Sequence, residues 1–492
     1  MKLRSSRQDR RAVNIAERLV ISLDERNTKL SRNLRDSRRL HSHPGFLGME
    51  TLITELKKKI EKLEAELDEK SKYNKEASIA KIAFENEDYA RIIEYFKSQM
   101  DLEGHQVSET VALLGDAFLL NLSLKSAIES YSDAYLLDPE NMDFLDSVGW
   151  LYAVSGRYTK AKGCYSKSLK HGVKRLGWNS PDIVIGCKNL GLVFQWSDEP
   201  KKAIEHYKKA LSIGVTIFGK EHPEIGLVLN GLGEACYSEG EFKKAIEYLK
   251  EALAIFEKAY GLNHHETIIA SNNLGEAWNS LGEHGKAIGC FNRALSAGKK
   301  VFGSKHSIIG VIWNNLGSSQ QMSADFARAR KSHEKALSID LEAFGPEHPE
   351  VAADFNNLGE AWRSLKKFQK ATDCYEKALN ILLNTYGPNH PRVAIVWNNI
   401  GLAKQSLGEL DKAMDCYQKA LSIDLETYGQ QHPETATRWN NIAGILELMG
   451  RSDKAVKFYK KAYEVFCDRL GEDHPRSRIV KGNIEALSKL SN

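Results

Sequence analysis

Residues 348–389 read HPEVAADFNNLGEAWRSLKKFQKATDCYEKALNILLNTYGPN, and this stretch decides the fold because close copies of it recur along the 492-residue chain. A histidine and a glycine mark each copy at intervals of 42 residues. The histidines are His222, His264, His306, His348, His390, His432 and His474, and the glycines are Gly177, Gly219, Gly261, Gly303, Gly345, Gly387, Gly429 and Gly471. Such a period predicts supersecondary units that stack on one another and bury a continuous core.

Each copy has the pattern of two amphipathic helices. Apolar residues return every three or four positions from Pro349 to Leu365 and again from Gln369 to Tyr386, with a turn at residues 366–368. The His-Pro-Glu start suits a first helical turn, because proline lacks only an N–H that has no partner there and glutamate favours the positive helix end. The glycine after the second helix fits a left-handed helix stop. One period therefore predicts one helical hairpin.

The residues that recur within the hairpin are similar to the core pattern of the tetratricopeptide repeat, W-x2-L-G-x2-Y followed by A-x3-F. Here the pattern reads Phe355, Leu358, Gly359, Trp362, Ala371 and Tyr375. One step of 34 residues from Gly115, followed by steps of 42, predicts nine hairpins over residues 108–474 and a capping helix at 475–492. The predicted fold class is all-α: a right-handed superhelical solenoid of tetratricopeptide-repeat hairpins, preceded by a short helical or coiled-coil segment.

A resemblance to a known family follows from these residues. The motif HPEVAADFNNLGEAW…KATDCYEKALNILLNTYGPNHP resembles the repeat domain of kinesin light chains, which has the same 42-residue length, and the resemblance covers about residues 142–475. It also resembles the wider class of cytosolic adaptors built from this long repeat. In kinesin light chains an N-terminal heptad region binds the motor heavy chain and the repeat groove takes cargo peptides. The resemblance implies an adaptor whose groove binds segments of partner proteins.

A seam of apolar residues at alternating spacings of three and four precedes the array. Its members are Phe46, Met49, Ile53, Leu56, Ile60, Leu63 and Leu67. This spacing predicts a helix over residues 45–72 that either forms a short coiled coil or packs on the end of the solenoid itself. Residues 73–107 predict a divergent helical hairpin that joins this helix to the array.

The first residues of the chain are basic. Residues 1–44 contain 12 lysines and arginines against 5 acidic residues, a net charge of +7 in a chain whose total is +4. This segment is either a solvated tail or a contact for an acidic partner, such as a membrane surface, a nucleic acid or an acidic protein. The remaining residues have a net charge of −3, which argues against a protein that coats nucleic acid along its whole length.

The sequence also predicts a compartment. No run of 18 uncharged apolar residues occurs, and the N-terminus lacks the apolar core of a secretion signal. Seven cysteines scattered over the chain do not resemble a disulfide framework. We therefore expect a reduced, cytoplasmic protein.

One polar position on the first helix is not explained by the core. With Gly359 numbered as repeat position 8, positions 4, 7, 8 and 11 form the core stripe, and position 6 lies about 150° away, so it should be exposed. Six of the seven copies have asparagine there: Asn189, Asn273, Asn315, Asn357, Asn399 and Asn441, with Gly231 in the other. Because asparagine both donates and accepts, this ladder predicts a groove for extended peptides. Inheritance by duplication and local helix contacts are the alternatives.

The side chains beside this ladder are expected to set the preference for particular peptides. They are Glu276, Glu360, Arg363, Gln321 and Gln405. Because both charge signs are present, the charge of the ligand is not predicted.

The sequence contains no catalytic constellation, nucleotide-binding loop or cofactor motif. Successive ladder histidines should lie at least one helix spacing of about 8–10 Å apart, so no two neighbours could share a zinc ion and no metal site is predicted. We expect a non-enzymatic scaffold that binds peptide segments of other proteins in its concave groove and takes neither a cofactor nor a small-molecule substrate. The alternative is a structural assembly subunit that dimerises weakly through its heptads.

Overall fold

In the computed structural model every regular element of the described residues is an α-helix, so the predicted all-α class is confirmed. The described residues are 49–72, 75–86, 88–100, 107–121 and 123–490. They divide between Ser304 and Lys305 into two compact units. The basic segment of residues 1–44 lies outside the described residues, and so does the prediction of an acidic partner for it. Within the described ranges, no helix is both long and apolar enough to cross a membrane.

Unit 1 begins with three helices that precede the repeats and continues with five hairpins. Its helices are α1 (Met49–Lys70), α2 (Lys75–Glu85), α3 (Tyr89–Met100), α4 (Val107–Leu120), α5 (Leu124–Leu137), α6 (Met142–Val154), α7 (Tyr158–Leu176), α8 (Pro181–Trp196), α9 (Pro200–Phe218), α10 (Pro223–Ser238), α11 (Phe242–Tyr260), α12 (His265–Ser280) and α13 (His284–Val301).

Unit 2 contains four hairpins and a final single helix. Its helices are α14 (Ser307–Met322), α15 (Phe326–Phe344), α16 (Pro349–Ser364), α17 (Phe368–Tyr386), α18 (Pro391–Ser406), α19 (Leu410–Tyr428), α20 (Pro433–Leu448), α21 (Ser452–Leu470) and α22 (Pro475–Leu490). Even-numbered helices from α4 to α20 are the first helices of their hairpins. Each packs on the odd-numbered helix that follows it, and within each unit that second helix packs on the next hairpin.

The helices begin and end where the sequence pattern predicts. At the start of α16, the Nδ1 atom of His348 accepts a hydrogen bond from the backbone N–H of Glu350 at 3.3 Å, and Pro349 occupies the first turn. At the end of α17, Gly387 adopts φ 82°, and its N–H donates to the carbonyl of Leu383 at 3.0 Å. This conformation suits glycine because a side chain would clash with the following carbonyl.

A close contact between glycine and an aromatic ring joins the two helices of a hairpin. A Cβ atom added to Gly359 would lie 2.6 Å from Cε1 of Tyr375, and one added to Gly401 would lie 2.6 Å from Cε1 of Tyr417. Both tyrosines are fully buried. The second helix can approach this closely only because repeat position 8 has no side chain.

Helix α1, which contains the apolar seam from Met49 to Leu67, packs inside unit 1, and Phe46 lies outside the described residues. Ile60, Leu63 and Leu67 are fully buried. The Nζ atom of Lys59 lies 3.2 Å from Oδ1 of Asp116 in α4 and 3.1 Å from the hydroxyl of Ser147 in α6. The helix contacts α4 and also α12, both first helices of hairpins. Of the two interpretations of the seam, this geometry matches a helix packed on the repeats of its own chain.

We predict that Gly401→Ala destabilises unit 2 by about 1–3 kcal/mol, because the new methyl group overlaps the buried ring of Tyr417. Gly444→Ala in α20 is the matched control, since the nearest atom to its added Cβ would be 3.6 Å away. That change should leave stability unchanged or raise it by up to about 1 kcal/mol, because alanine is the better helix former. Chemical denaturation followed by circular dichroism measures both; equal effects would contradict the packing argument.

Candidate protein-binding surface

The first helices of successive hairpins contact one another within each unit. Helix α10 contacts α8 and α12 in unit 1, and α16 contacts α14 and α18 in unit 2. We call the surface that these helices share, made of repeat positions 2, 5, 6, 9 and 13, the first-helix face. The predicted asparagine ladder at position 6 lies on this face, and its hydrogen bonds define what the face can do.

In unit 2, pairs of asparagines join neighbouring first helices. The Nδ2 atom of Asn399 in α18 donates to Oδ1 of Asn356 in α16 at 2.8 Å. One hairpin further on, Nδ2 of Asn441 donates to Oδ1 of Asn398 at 2.7 Å. In each case position 6 of one hairpin bonds to position 5 of the hairpin before it. These amides therefore hold the helices in register.

The expectation that position 6 is exposed is wrong. Asn273 is buried, and the other five members are half-buried, because neighbouring first helices lean against one another at this position. Asn315 also makes an interaction with another residue. Asn189 and Asn357 differ from the rest, since their half-buried side chains have no hydrogen-bond partner among the described residues.

The gap in the ladder at Gly231 has a packing cause. A Cβ atom on Gly231 would lie 2.5 Å from Cζ of Tyr207, a buried tyrosine of α9 in the preceding hairpin. Any side chain at this position would therefore displace that ring. The sequence pattern shows the gap but not its reason, because the ring comes from a different helix.

Glu360 and Arg363, predicted to select partners, bind each other. The guanidinium of Arg363 donates through Nε to Oε2 of Glu360 at 2.9 Å and through a terminal nitrogen to Oε1 at 2.5 Å. The hydroxyl of Tyr375 donates to the same carboxylate at 3.1 Å. This bidentate pairing raises the pKa of Arg363 above its ordinary value. The two charges partly neutralise each other and also fix the buried tyrosine.

The remaining predicted side chains also have partners within their own unit. Gln405 accepts a hydrogen bond from the hydroxyl of Tyr417 at 2.9 Å. Gln321 donates to the hydroxyl of Ser364 at 2.6 Å. Glu276 accepts from Asn272 at 3.4 Å. Glu276 lies at position 9 of the first-helix face, whereas Gln321 and Gln405 lie at position 12 beside it; each of the three also serves a contact inside the stack.

A half-buried carboxyl group in unit 1 was not predicted from the sequence. Glu234 in α10 accepts hydrogen bonds from Gln195 and Asn230, both at 2.9 Å, and from Asn273 at 2.5 Å. Burial raises the pKa of Glu234 to about 8, against the opposing effect of these donors. The signal that could have found the network is the asparagine at repeat position 5, which is Asn230 in this hairpin.

A related buried group occurs in unit 2. Asp354 of α16 accepts a short hydrogen bond from Asn314 of α14, and Oδ1 of Asn314 lies 3.0 Å from Nδ1 of His333. Burial raises the pKa of Asp354 to about 7 and lowers the pKa of His333 to about 4. His333 is therefore a neutral ring in the place where other hairpins have a tyrosine or phenylalanine.

Comparison with protein families identifies the repeat. Models of the tetratricopeptide repeat match more than half of the chain, at residues 184–258, 224–300, 266–342, 308–384, 355–426 and 392–468. The chain belongs to the tetratricopeptide repeat family. The family predicted from the 42-residue period is confirmed, and a tetratricopeptide repeat protein of this kind is generally a scaffold for protein interactions. No curated protein matches the chain.

Several solved structures are similar to this tetratricopeptide repeat protein. BtubC (BKLC) from P. vanneervenii is 24% identical over 47% of this chain and 92% of its own, with a TM-score of 0.41. A Podosopora anserina kinesin light chain with nearly identical repeats is 21% identical over 42% and 99%, with a TM-score of 0.38. A Pyrococcus horikoshii signal transduction ATPase with a tetratricopeptide repeat sensor is 14% identical over 79% and 56%, with a TM-score of 0.56. These similarities concern the fold alone.

We predict that Glu234 makes the stability of unit 1 depend on pH. Its pKa is raised in the folded state, so its stabilising effect is present below the ordinary glutamate pKa and is lost as pH rises through about 8. Between about pH 5 and pH 9 the wild type should therefore lose more unfolding free energy than Glu234→Gln, by at least about 1.4 kcal/mol, the equivalent of one pKa unit.

Denaturation curves across this pH range measure the difference. Glu247→Gln, at an exposed position of α11 in the same unit, is the control and should follow the wild type. Parallel pH profiles for wild type and Glu234→Gln would contradict the prediction.

Proposed function

We propose that this protein is a non-enzymatic cytoplasmic scaffold that binds extended segments of partner proteins along the first-helix face of unit 2. The observation that carries the proposal is the state of Asn357. Its half-buried amide has no partner among the described residues, although the equivalent amide of Asn399 in the next hairpin is fully engaged. A carboxamide in this state can pair with the N–H and C=O groups of a peptide.

The same face offers apolar contacts. Met322 and Leu448, both at repeat position 13, are 64% and 57% exposed. Ile395 at position 2 and Leu402 at position 9 are half-buried. Both belong to α18, which lies along the chain between the helices of Met322 and Leu448. An extended segment that alternates apolar and polar side chains would suit this mixture, with its backbone paired to amides and its apolar side chains against these residues.

Unit 1 supports the choice of unit 2 for partner binding. In unit 1 the helix α1 already contacts the first helices α4 and α12. The fully buried Leu63 and Leu67 show that this contact excludes solvent. A partner segment would have to compete with a helix of the same chain there, whereas within unit 2 the described residues provide no such helix.

Photo-crosslinking tests the proposed surface in the full chain. A photoreactive amino acid replaces the exposed Met322 on the first-helix face, and in a control it replaces Glu376, which is exposed on the second helix α17. After irradiation in cell lysate, Met322 should give protein adducts that are absent from the control. The same adducts from both positions, or adducts from Glu376 alone, would contradict the proposal.

Two matched substitutions separate binding from stability. We predict that Asn357→Ala reduces the yield of the Met322 adducts about two- to tenfold with an unchanged melt, because it removes one net hydrogen bond of about 0.5–1.5 kcal/mol to the ligand. Asn399→Ala should instead lower unfolding free energy by a similar amount, since it leaves Asn356 without its donor. An Asn357→Ala protein with unchanged adducts would show that this amide does not bind partners.

A substitution in the seam separates the proposed scaffold from the alternative, a subunit that dimerises through its heptads. Leu63 is fully buried within unit 1, so if the proposal is correct the wild type is a monomer by light scattering and Leu63→Asp lowers its melting temperature. If the wild type is a dimer and Leu63→Asp converts it to a stable monomer, the seam is a coiled-coil interface and the alternative is correct.

A further inference from the structure

The residues that connect one hairpin to the first helix of the next, called a corner below, differ in sequence at one place. Three corners read His-Pro-Glu, at residues 222–224, 348–350 and 432–434, whereas the corner before α12 reads His264-His265-Glu266. His265 therefore replaces the proline of the first helical turn. It does not belong to the histidine ladder, and the spacing argument against zinc between ladder histidines does not apply to it.

The histidine that begins this corner has lost its usual structural role. In the corners that begin α10, α14, α16, α18, α20 and α22, the ladder histidine accepts a hydrogen bond through Nδ1 from the backbone N–H two residues on, at 3.2–3.3 Å. His264 makes no such cap. Its Nδ1 atom instead faces the carboxylate of Glu266 at very short range, and the ring stacks on Tyr260 at 4.2 Å.

Three potential ligand atoms converge as a result. One atom each from His264, His265 and Glu266 all lie within 4.8 Å of one another. The Nε2 atom of His265 is 3.3 Å from Oε1 of Glu266, close to the edge of a tetrahedron of ligands about 2.0–2.1 Å from a zinc ion.

The cluster is buried, and its polar atoms lack hydrogen-bond partners outside it. The side chains of His265 and Glu266 are 5% and 7% exposed. Nδ1 of His264, Nε2 of His265 and Oε2 of Glu266 are buried and have no hydrogen-bond partner outside the cluster.

We propose that His264, His265 and Glu266 bind a divalent first-row transition metal ion, with zinc as the best match. Two imidazoles and one carboxylate are a donor set that zinc takes in proteins. The three residues supply three of four tetrahedral positions. The side chain of His264 is the most exposed of the three, at 20%, so solvent can reach the ion on that side. Water or a ligand from solution would take the fourth position. The ion would fix the loop between α11 and α12 by joining groups that face one another.

Metal titration of the full chain tests this site. His265→Pro is the matched variant, because it restores the His-Pro-Glu sequence of the other corners and should keep the fold. Glu266→Gln removes the charged ligand and retains the shape. Wild type should bind one zinc ion more per chain than His265→Pro by calorimetry, and Glu266→Gln should bind it at least about tenfold more weakly.

Two further readouts make the result independent of the fold. Added Co²⁺ should give the visible absorption of a tetrahedral site in the wild type and not in His265→Pro. Zinc should raise the melting temperature of the wild type by at least about 2 °C and leave that of His265→Pro unchanged. Equal zinc stoichiometry and the same cobalt spectrum in both proteins would overturn the proposal. So would a wild type that binds no metal, which would make the cluster a histidine–carboxylate contact only.

Discussion

The structure depends on one contact that recurs in eight of the nine described hairpins: the approach of the second helix to the glycine at repeat position 8, which is Ala443 in the hairpin of α20 and α21. Tyr375 and Tyr417 lie against Gly359 and Gly401 at distances that leave no room for a methyl group. Phe291 takes the same place against Gly275, and Leu249 takes it against Gly233, so the requirement is for a large buried side chain and not for a hydroxyl. Once this distance is set, the first helices of neighbouring hairpins meet, and the polar chemistry of their shared face follows.

That face has two tasks that compete for the same amides. The bond from Asn399 to Asn356 holds two hairpins in register, and an amide used in this way cannot also bind a peptide. Asn357 makes no such bond to a neighbouring hairpin among the described residues. The pairing of Glu360 with Arg363 shows the same competition for charged groups. A binding surface in a repeat stack is therefore formed by the side chains that the interfaces between hairpins leave unused, and a repeated sequence alone does not say which these are.

Much of the fold could be predicted because it depends on local sequence. Helix ends follow from His348, Pro349 and Gly387, and the period shows where the hairpins lie. The candidate site was harder because it depends on contacts about 43 residues apart, such as that of Asn441 with Asn398. A helical wheel places position 6 opposite the core of its own hairpin but ignores the next hairpin. The half-buried state of Glu234 was missed for the same reason.

A residue that departs from the repeat pattern indicates a functional site only when packing does not explain it. Gly231 interrupts the asparagine ladder, and the ring of Tyr207 explains it fully, so the gap needs no functional reason. His265 is different, because proline serves the same first turn in other hairpins, and its ring packs against that of His264 with 4.3 Å between the centroids. Its Nε2 atom is buried, has no hydrogen-bond partner outside the cluster and faces a carboxylate that a second imidazole also faces. The loss of proline at a helix start, together with buried polar atoms that have no partner outside the cluster, is the reason for proposing a metal ligand at the corner before α12.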